Sequence, residues 1–311
     1  NLVWPALFNI FAIRGEEFRD PRILLEGLDH LSSLPAVQLI GAHGPPLEGR
    51  KEIAGVIEDY ADSIRYIWDQ TVRGINKGLT LDELAVDLSL PDRFERTYFT
   101  RQFYGVVEHH VRQIHAGLFG WFDDDPSKLF PQVPLERAEK LVKGFGGVEQ
   151  VRQAFEEAIQ SEDYRWAIEL SDWLVKVNDD SSDKHRLATA LRAVGQRTTS
   201  ANIRNWCVTR AMELDGLIDL TRFRQHRFGY SEVMAGEPAA FVKLLRVLLD
   251  PDKAKGLQGE LCFKFDDGSS AGLRLRNQVA VPTDGSNSSI SIELGHESWA
   301  RLLSGKISPE A

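Results

Sequence analysis

Residues 50–83, RKEIAGVIEDYADSIRYIWDQTVRGINKGLTLDE, carry the pattern that decides the architecture. Ile53, Ile57, Tyr60, Ile64, Trp68 (or Ile67), Val72 and Ile75 recur every three or four residues. On a helix of 3.6 residues per turn that spacing lines one face with apolar side chains. Gly78 follows as a C-terminal stop, because glycine takes the left-handed backbone that closes a helix without a steric cost. Thr80-Leu81-Asp82-Glu83 then reads as a capping box, in which a hydroxyl and a carboxylate three residues apart satisfy open N–H groups at the next helix start.

Working outward, the helical period holds from about 51 to 215. Pro134 suits a first helical position, and Gly144 follows Leu141, Val142 and Lys143 as another stop. The stretch 147–215 reads as paired helices with Ala154, Ala158, Tyr164, Trp166 and Ala167 at the seams, reminiscent of tetratricopeptide packing but without a strict repeat. Upstream, the apolar runs Leu7–Ile13 and Ala36–Gly41 flank a helical pattern, a strand–helix–strand texture. Downstream of about 216, a helix built on Phe241, Leu244, Leu245, Val247 and Leu248 precedes alternating runs. These runs hold Leu261, Phe263 and Phe265, then Leu273 and Leu275, then Ile290, Ile292 and Leu294. A last helix begins near Ser298, which makes this an α+β segment.

At 311 residues the chain exceeds what one hydrophobic core usually organises, so two or more domains are expected. The net charge of -9 argues against a nucleic-acid partner, which would call for clustered Lys and Arg. No apolar run reaches the roughly 18 residues of a membrane span. Cys207 and Cys262 are both flanked by apolar residues and read as buried thiols rather than a bridge. The opening Asn1-Leu2-Val3-Trp4-Pro5 has no initiator Met, so the chain is expected to be part of something longer. The compartment stays open, with a periplasmic or secreted origin preferred to a cytoplasmic one.

Three places could carry chemistry. His43 sits in Gly41-Ala42-His43-Gly44-Pro45-Pro46, after an apolar run and on a loop stiffened by two prolines, which suits a metal ligand. From the residues alone the ordinary loop histidine is the preferred reading, since tight zinc sites need three or four ligands and the only other His in the first fifty residues is His30. Arg14 and Arg19 follow Asn9-Ile10-Phe11-Ala12-Ile13, and paired guanidinium forks match the oxygens of sulfate or phosphate. The competing reading is a surface cluster with Glu16, Glu17 and Asp20. Tyr104 through His110 lies on a helical pattern with Arg101, Arg112 and His115 nearby. There Glu108 and Arg112 form a structural pair, while Tyr104 and His109 are candidate proton donors or anion ligands.

Together these segments resemble one family in order along nearly the whole chain. NIFAIRG (9–15) with Arg19-Asp20, GAHGPPLEGRKEI (41–53), DQTVRGINKGLTLDELA (69–85), FYGVVEHHVRQIHAGLFGWFDDDP (103–126) and DYRWAIEL (163–170) are similar to segments of zinc-dependent alkylsulfatases of the metallo-β-lactamase superfamily. LQGELCFKFDDGSSAGLRLRN (257–277) and WARLLSGKI (299–307) resemble a sterol-carrier-protein-like domain. The resemblance implies the edge of a metallo-β-lactamase catalytic domain over 1–50, an α-helical dimerisation domain over 51–215 and a truncated sterol-carrier-like α+β domain over 216–311.

It further implies alkyl sulfate ester hydrolysis by a site with two zinc ions (Zn2+), in a homodimer. His43 would be a zinc ligand, Asn9, Ile10, Phe11, Ala12, Ile13, Arg14 and Arg19 the sulfate-binding segment, and Tyr104 and His109 active-site positions. Two departures stand out. The family's HxHxDH ligand motif is absent here, so the other zinc ligands belong to a preceding portion or a separate chain. His110 replaces the family's usual Asn. The alternative is a non-catalytic dimerising module that binds lipid or alkyl chains.

Overall fold

The computed structural model describes residues 2–15, 17–221 and 228–308. The expectations that involve Asn1, Glu16 and residues 309–311 lie outside them. Two compact units divide between Asp219 and Leu220. The first is largely helical, and the second carries a small sheet.

The first unit opens with buried chain that is not a strand. Leu7, Phe8, Asn9 and Ile10 are buried in succession, which no alternating strand would do. Their backbone closes on itself through Ile10 N to Phe8 O (3.2 Å) and Gly15 N to Ala12 O (3.2 Å), and reaches out through Leu7 N to Arg101 O (2.8 Å). The expected strand over Leu7–Ile13 is therefore a tight loop, because its amides find turn partners instead of a neighbouring strand. Helix α1 (Pro21–Ser33) follows, with Asp20 accepting from Arg22 N at its N-terminus and Pro21 at the first position. The second expected strand is short: β1 (Gln38–Leu39) pairs antiparallel with β2 (Leu47–Glu48). The loop between them presents His43.

Helix α2 (Arg50–Asn76) buries Ile53, Ile57, Tyr60, Ile64 and Ile67. The fourth turn is filled by Ile67, fully buried, while Trp68 lies at the margin of the core. The capping box forms as Thr80 and Glu83 exchange hydrogen bonds at the start of α3 (Leu81–Asp87). A short α4 (Asp92–Arg96) leads to the 101–106 loop and α5 (Val107–Phe119). Leu7, Phe8 and Ile10 share one core with Ile57, Tyr60 and Ile64 of α2 and Val111 and Ile114 of α5.

The rest of the unit is a run of helices joined by short loops: α6 (Pro134–Gly144), α7 (Val148–Gln160), α8 (Tyr164–Val177), α9 (Ser181–Arg197) and α10 (Ala201–Leu214). Val142, Val151, Phe155, Leu170 and Leu174 form their core. Glu108 of α5 ties the two cores together, accepting from Arg165 of α8 at 2.5 and 3.1 Å and from Arg112 at 3.4 Å.

In the second unit α11 (Tyr230–Ala235) and α12 (Pro238–Val242) precede a sheet of order β5-β4-β3-β6. Its strands are β3 (Gly259–Phe265), β4 (Ser270–Arg276), β5 (Val279–Thr283) and β6 (Ile290–Leu294), with β6 parallel to β3 and the other pairs antiparallel. Helix α13 (His296–Leu303) seats Trp299 against Phe263 and Phe265. The expected helix through Leu248 stops at Val242 and continues as a 3-10 turn over Lys243–Leu248. Pro251 forces the chain before it to extend, and the tighter winding leaves Leu244, Val247 and Leu248 exposed.

Candidate functional site

A cavity of about 560 Å³ is lined by Leu2, Trp4, Phe8, Asn9, Arg14, Arg19, Leu24, His43 and Tyr104. Four separate segments build it: the buried entry loop, α1, the β1–β2 loop and the 101–106 loop. Their convergence brings together residues up to a hundred positions apart.

Each polar residue is held by a stated contact. Arg19 Nη1 donates to Asn9 O at 3.0 Å, which curls the loop between them. The Asn9 carboxamide turns back on its own loop, with its amide nitrogen 2.5 Å from Phe11 O and its oxygen 3.2 Å from Ala12 N in the orientation that satisfies both. Arg14 Nη1 donates to Tyr104 Oη at 3.4 Å. Asp20 pairs with Arg22 at 2.6 Å, and that hydrogen bond holds the Asp20 carboxyl below its ordinary range; the competing surface-cluster reading of the arginines involves Glu16, which lies outside the described residues.

Tyr104 lies outside α5, which corrects the helical reading of 101–106: Val106 is extended, and the helix starts at Val107. The loop is stitched elsewhere. Ser200, the N-cap of α10, donates to Tyr104 O at 2.7 Å, Ala201 N donates to Phe103 O at 2.8 Å, and Thr199 Oγ1 donates to Gln102 O at 3.1 Å. Gly105 is required here, since a β-carbon would lie 2.5 Å from His110 Nε2 and 2.9 Å from Phe8 O.

His43 is exposed on its loop, stacked at a tilt on Trp4 with ring centroids 5.7 Å apart. Gly44 beside it has φ 80°, and a β-carbon there would lie 2.7 Å from Pro5 Cγ, so the loop can pack on Pro5 only with glycine. His109 is half-buried on α5 and does not line the cavity; burial pulls its pKa down, and Glu108 acts in the opposite direction. Ile10 and Ala12 are buried behind the loop and act as its anchor. Phe11 and Ile13 do not line the cavity either. The lining residues Leu2, Trp4, Phe8 and Leu24 were not singled out from sequence. Only Trp4-Pro5 carried a signal, an aromatic followed by a residue that stiffens the chain.

The resemblance implies zinc, and the described residues by themselves do not make up a zinc site. Around His43 the cavity offers an amide, a phenol and two guanidinium groups, and no carboxylate. Among the described residues no group of three or more His, Cys, Asp or Glu side chains could hold a metal ion. What the cavity can do is receive a group with an anionic head and an apolar body.

Residues 80–216 match the family model described as alkyl sulfatase dimerisation. A linear primary-alkylsulfatase from Pseudomonas sp. is 35% identical over 300 residues, covering 93% of this chain and 57% of that protein. An (R)-specific secondary-alkylsulfatase from Pseudomonas sp. is 32% identical over 291 residues, covering 91% and 43%. The solved structure of a stereoselective inverting sec-alkylsulfatase from Pseudomonas sp. superposes with a TM-score of 0.89 at 28% identity, covering 100% of this chain and 50% of that one. The chain thus spans about half the length of the relatives it matches. It is similar to alkylsulfatases over most of its own length, and its residues 80–216 match their dimerisation family.

Proposed function

We propose that the first unit supplies the anion-holding part of an enzyme that hydrolyses alkyl sulfate esters to alcohol and sulfate. One observation carries the reading: a single cavity is lined by Arg14, Arg19 and Tyr104 and also by Leu2, Trp4, Phe8 and Leu24. The guanidinium groups match the sulfate oxygens, and the apolar side chains match the first carbons of the tail. As the ester bond breaks, negative charge gathers on the departing sulfate, and fixed guanidinium donors stabilise it without reorganising. Zinc belongs to this proposal at the level of the longer enzyme, with His43 as the one ligand of this chain and the others supplied from outside the described residues. The finer architecture is proposed with it: a metallo-β-lactamase edge before α2, the dimerisation helices of a homodimer, and a sterol-carrier-like second unit. A second reading, an alkyl-chain-binding dimerising module without catalysis, is favoured by the exposed Leu244, Val247, Leu248 and Leu257 of the second unit.

Isothermal titration of this chain with octyl sulfate, inorganic sulfate and octanol tests the cavity. Octyl sulfate is expected to bind most tightly, and Arg14→Ala to abolish its advantage over octanol. Equal affinity for octyl sulfate and octanol would overturn the anion-holding role.

A further inference from the structure

Trp4 touches two of the cavity's polar groups. Its indole meets Tyr104 edge-on with centroids 4.9 Å apart, and His43 at 5.7 Å. Such pairs add directional attraction beyond the burial of area. His43 is exposed on a hairpin loop, and its described aromatic contact is with Trp4. The position of Trp4 is itself fixed. Pro5 follows it and packs against Gly44, and Ala6 N closes a turn onto Trp4 O at 2.8 Å. On its inner side Trp4 packs against the core that holds the fully buried Tyr60 of α2. The first core thus reaches the cavity through one indole.

We infer that Trp4 is a positioning residue: it brackets His43 and Tyr104, and through Tyr104 it sets the height of Arg14 above the cavity. The chain of contacts runs from the first core through Trp4 and Tyr104 to Arg14, the last link being the Arg14 to Tyr104 hydrogen bond at 3.4 Å. The indole does not need to touch the sulfate to act; it fixes the groups that do. The part of this inference that concerns ligand rests on the alkyl sulfate reading, whereas the bracket itself is a property of the fold.

The full 311-residue chain, labelled at histidine and tyrosine, serves for the test in the parent, Trp4→Ala and Trp4→Phe forms. NMR reports the ring signals of His43 and Tyr104, and titration reports octyl sulfate affinity below its micelle concentration. Trp4→Ala is expected to move both ring signals toward their unstructured positions and to weaken octyl sulfate about tenfold, the worth of two aromatic pairs. Trp4→Phe keeps a ring and should restore most of both. In a Tyr104→Ala background the Trp4→Ala cost should shrink to what its own contact with the alkyl tail is worth, because residues acting through one another are not additive. The bracket is overturned if folded Trp4→Ala leaves both ring signals in place, or if its cost is the same with and without Tyr104. Should the parent bind no octyl sulfate, the alkyl sulfate reading fails, and the ring signals alone still decide whether Trp4 positions His43 and Tyr104.

Discussion

Arg14 donates to the hydroxyl of Tyr104 at 3.4 Å across ninety positions of sequence. The bond is long, so its energy is small; its use is to aim the guanidinium into the cavity. Arg14→Lys keeps the charge but removes the planar fork. In an enzyme with the full length of the relatives, this change is expected to slow dodecyl sulfate hydrolysis roughly 30- to 1000-fold, the range for losing a contact made mainly in the transition state. Tyr104→Phe should cost less, within about tenfold, since only one weak bond goes. Steady-state kinetics of Arg14→Lys within about threefold of the parent would remove Arg14 from the sulfate site.

Asp183, at the start of α9, is wholly buried and takes Arg152 Nε at 2.9 Å, Arg152 Nη2 at 2.7 Å and Arg186 Nη1 at 3.2 Å. Replacing it with Ala removes the one buried carboxylate that joins the two guanidinium groups, leaving Arg152 to Glu149 and Asp180 and Arg186 to Glu156, a loss on the order of 3 kcal/mol at most for a broken buried pair. Urea unfolding of Asp183→Ala should show the drop, while Asp183→Leu with Arg152→Met should recover much of it. A single variant as stable as the parent would mean that water already serves these arginines.

Acid sensitivity is expected from His110. It is fully buried on α5, neither ring nitrogen has a hydrogen-bond partner among the described residues, and burial holds its pKa down to about 3. The unfolded chain protonates this ring near its ordinary value of 6.5, and the folded chain does not. Stability is therefore lost as pH falls from about 6.5 toward 3, by up to about 1.4 kcal/mol per pH unit, and is independent of this group above 6.5. His110→Asn cannot titrate, so its unfolding midpoint should fall less steeply between pH 6.5 and 4.5. Parallel slopes in parent and variant would count against the buried neutral imidazole.

The chain by itself is expected to hold zinc weakly. One imidazole beside two guanidinium groups is a poor cation site, and tight zinc binding needs three or more donors. Equilibrium dialysis followed by metal analysis gives the answer: stoichiometric retained zinc with dodecyl sulfate hydrolysis would show a site that the described residues do not reveal.

A homodimer is expected from the segment that matches the dimerisation family. Within it Phe119 is 51% exposed, Trp121 77% and Phe130 87%, an unusual density of open aromatic surface for a lone molecule. Sedimentation at micromolar concentration should give twice the 35.0 kDa chain mass. A species of single-chain mass alone would refute it.

The sequence by itself determined the helical middle and the alternating end. The α2 stripe, the Thr80–Glu83 capping box, Pro134 at a helix start and the β3 and β4 alternation are local patterns, set by backbone geometry within a few residues. The family was legible too, because its motifs are contiguous. Only the tertiary structure decided that Leu7–Ile13 is a buried loop, since an apolar run reads the same whether or not a neighbouring strand accepts its amides. Likewise, the spacing admits either Ile67 or Trp68 in the stripe, and only the packing shows Ile67 fully buried and Trp68 at the margin. The cavity was legible only in part: Arg14, Arg19, His43 and Tyr104 stood out by residue type. Trp4, Leu2 and Leu24 did not, and neither did Ser200, which holds Tyr104 across 96 positions. Their roles come from long-range packing, which brings distant segments to one place and leaves no periodic mark in any of them.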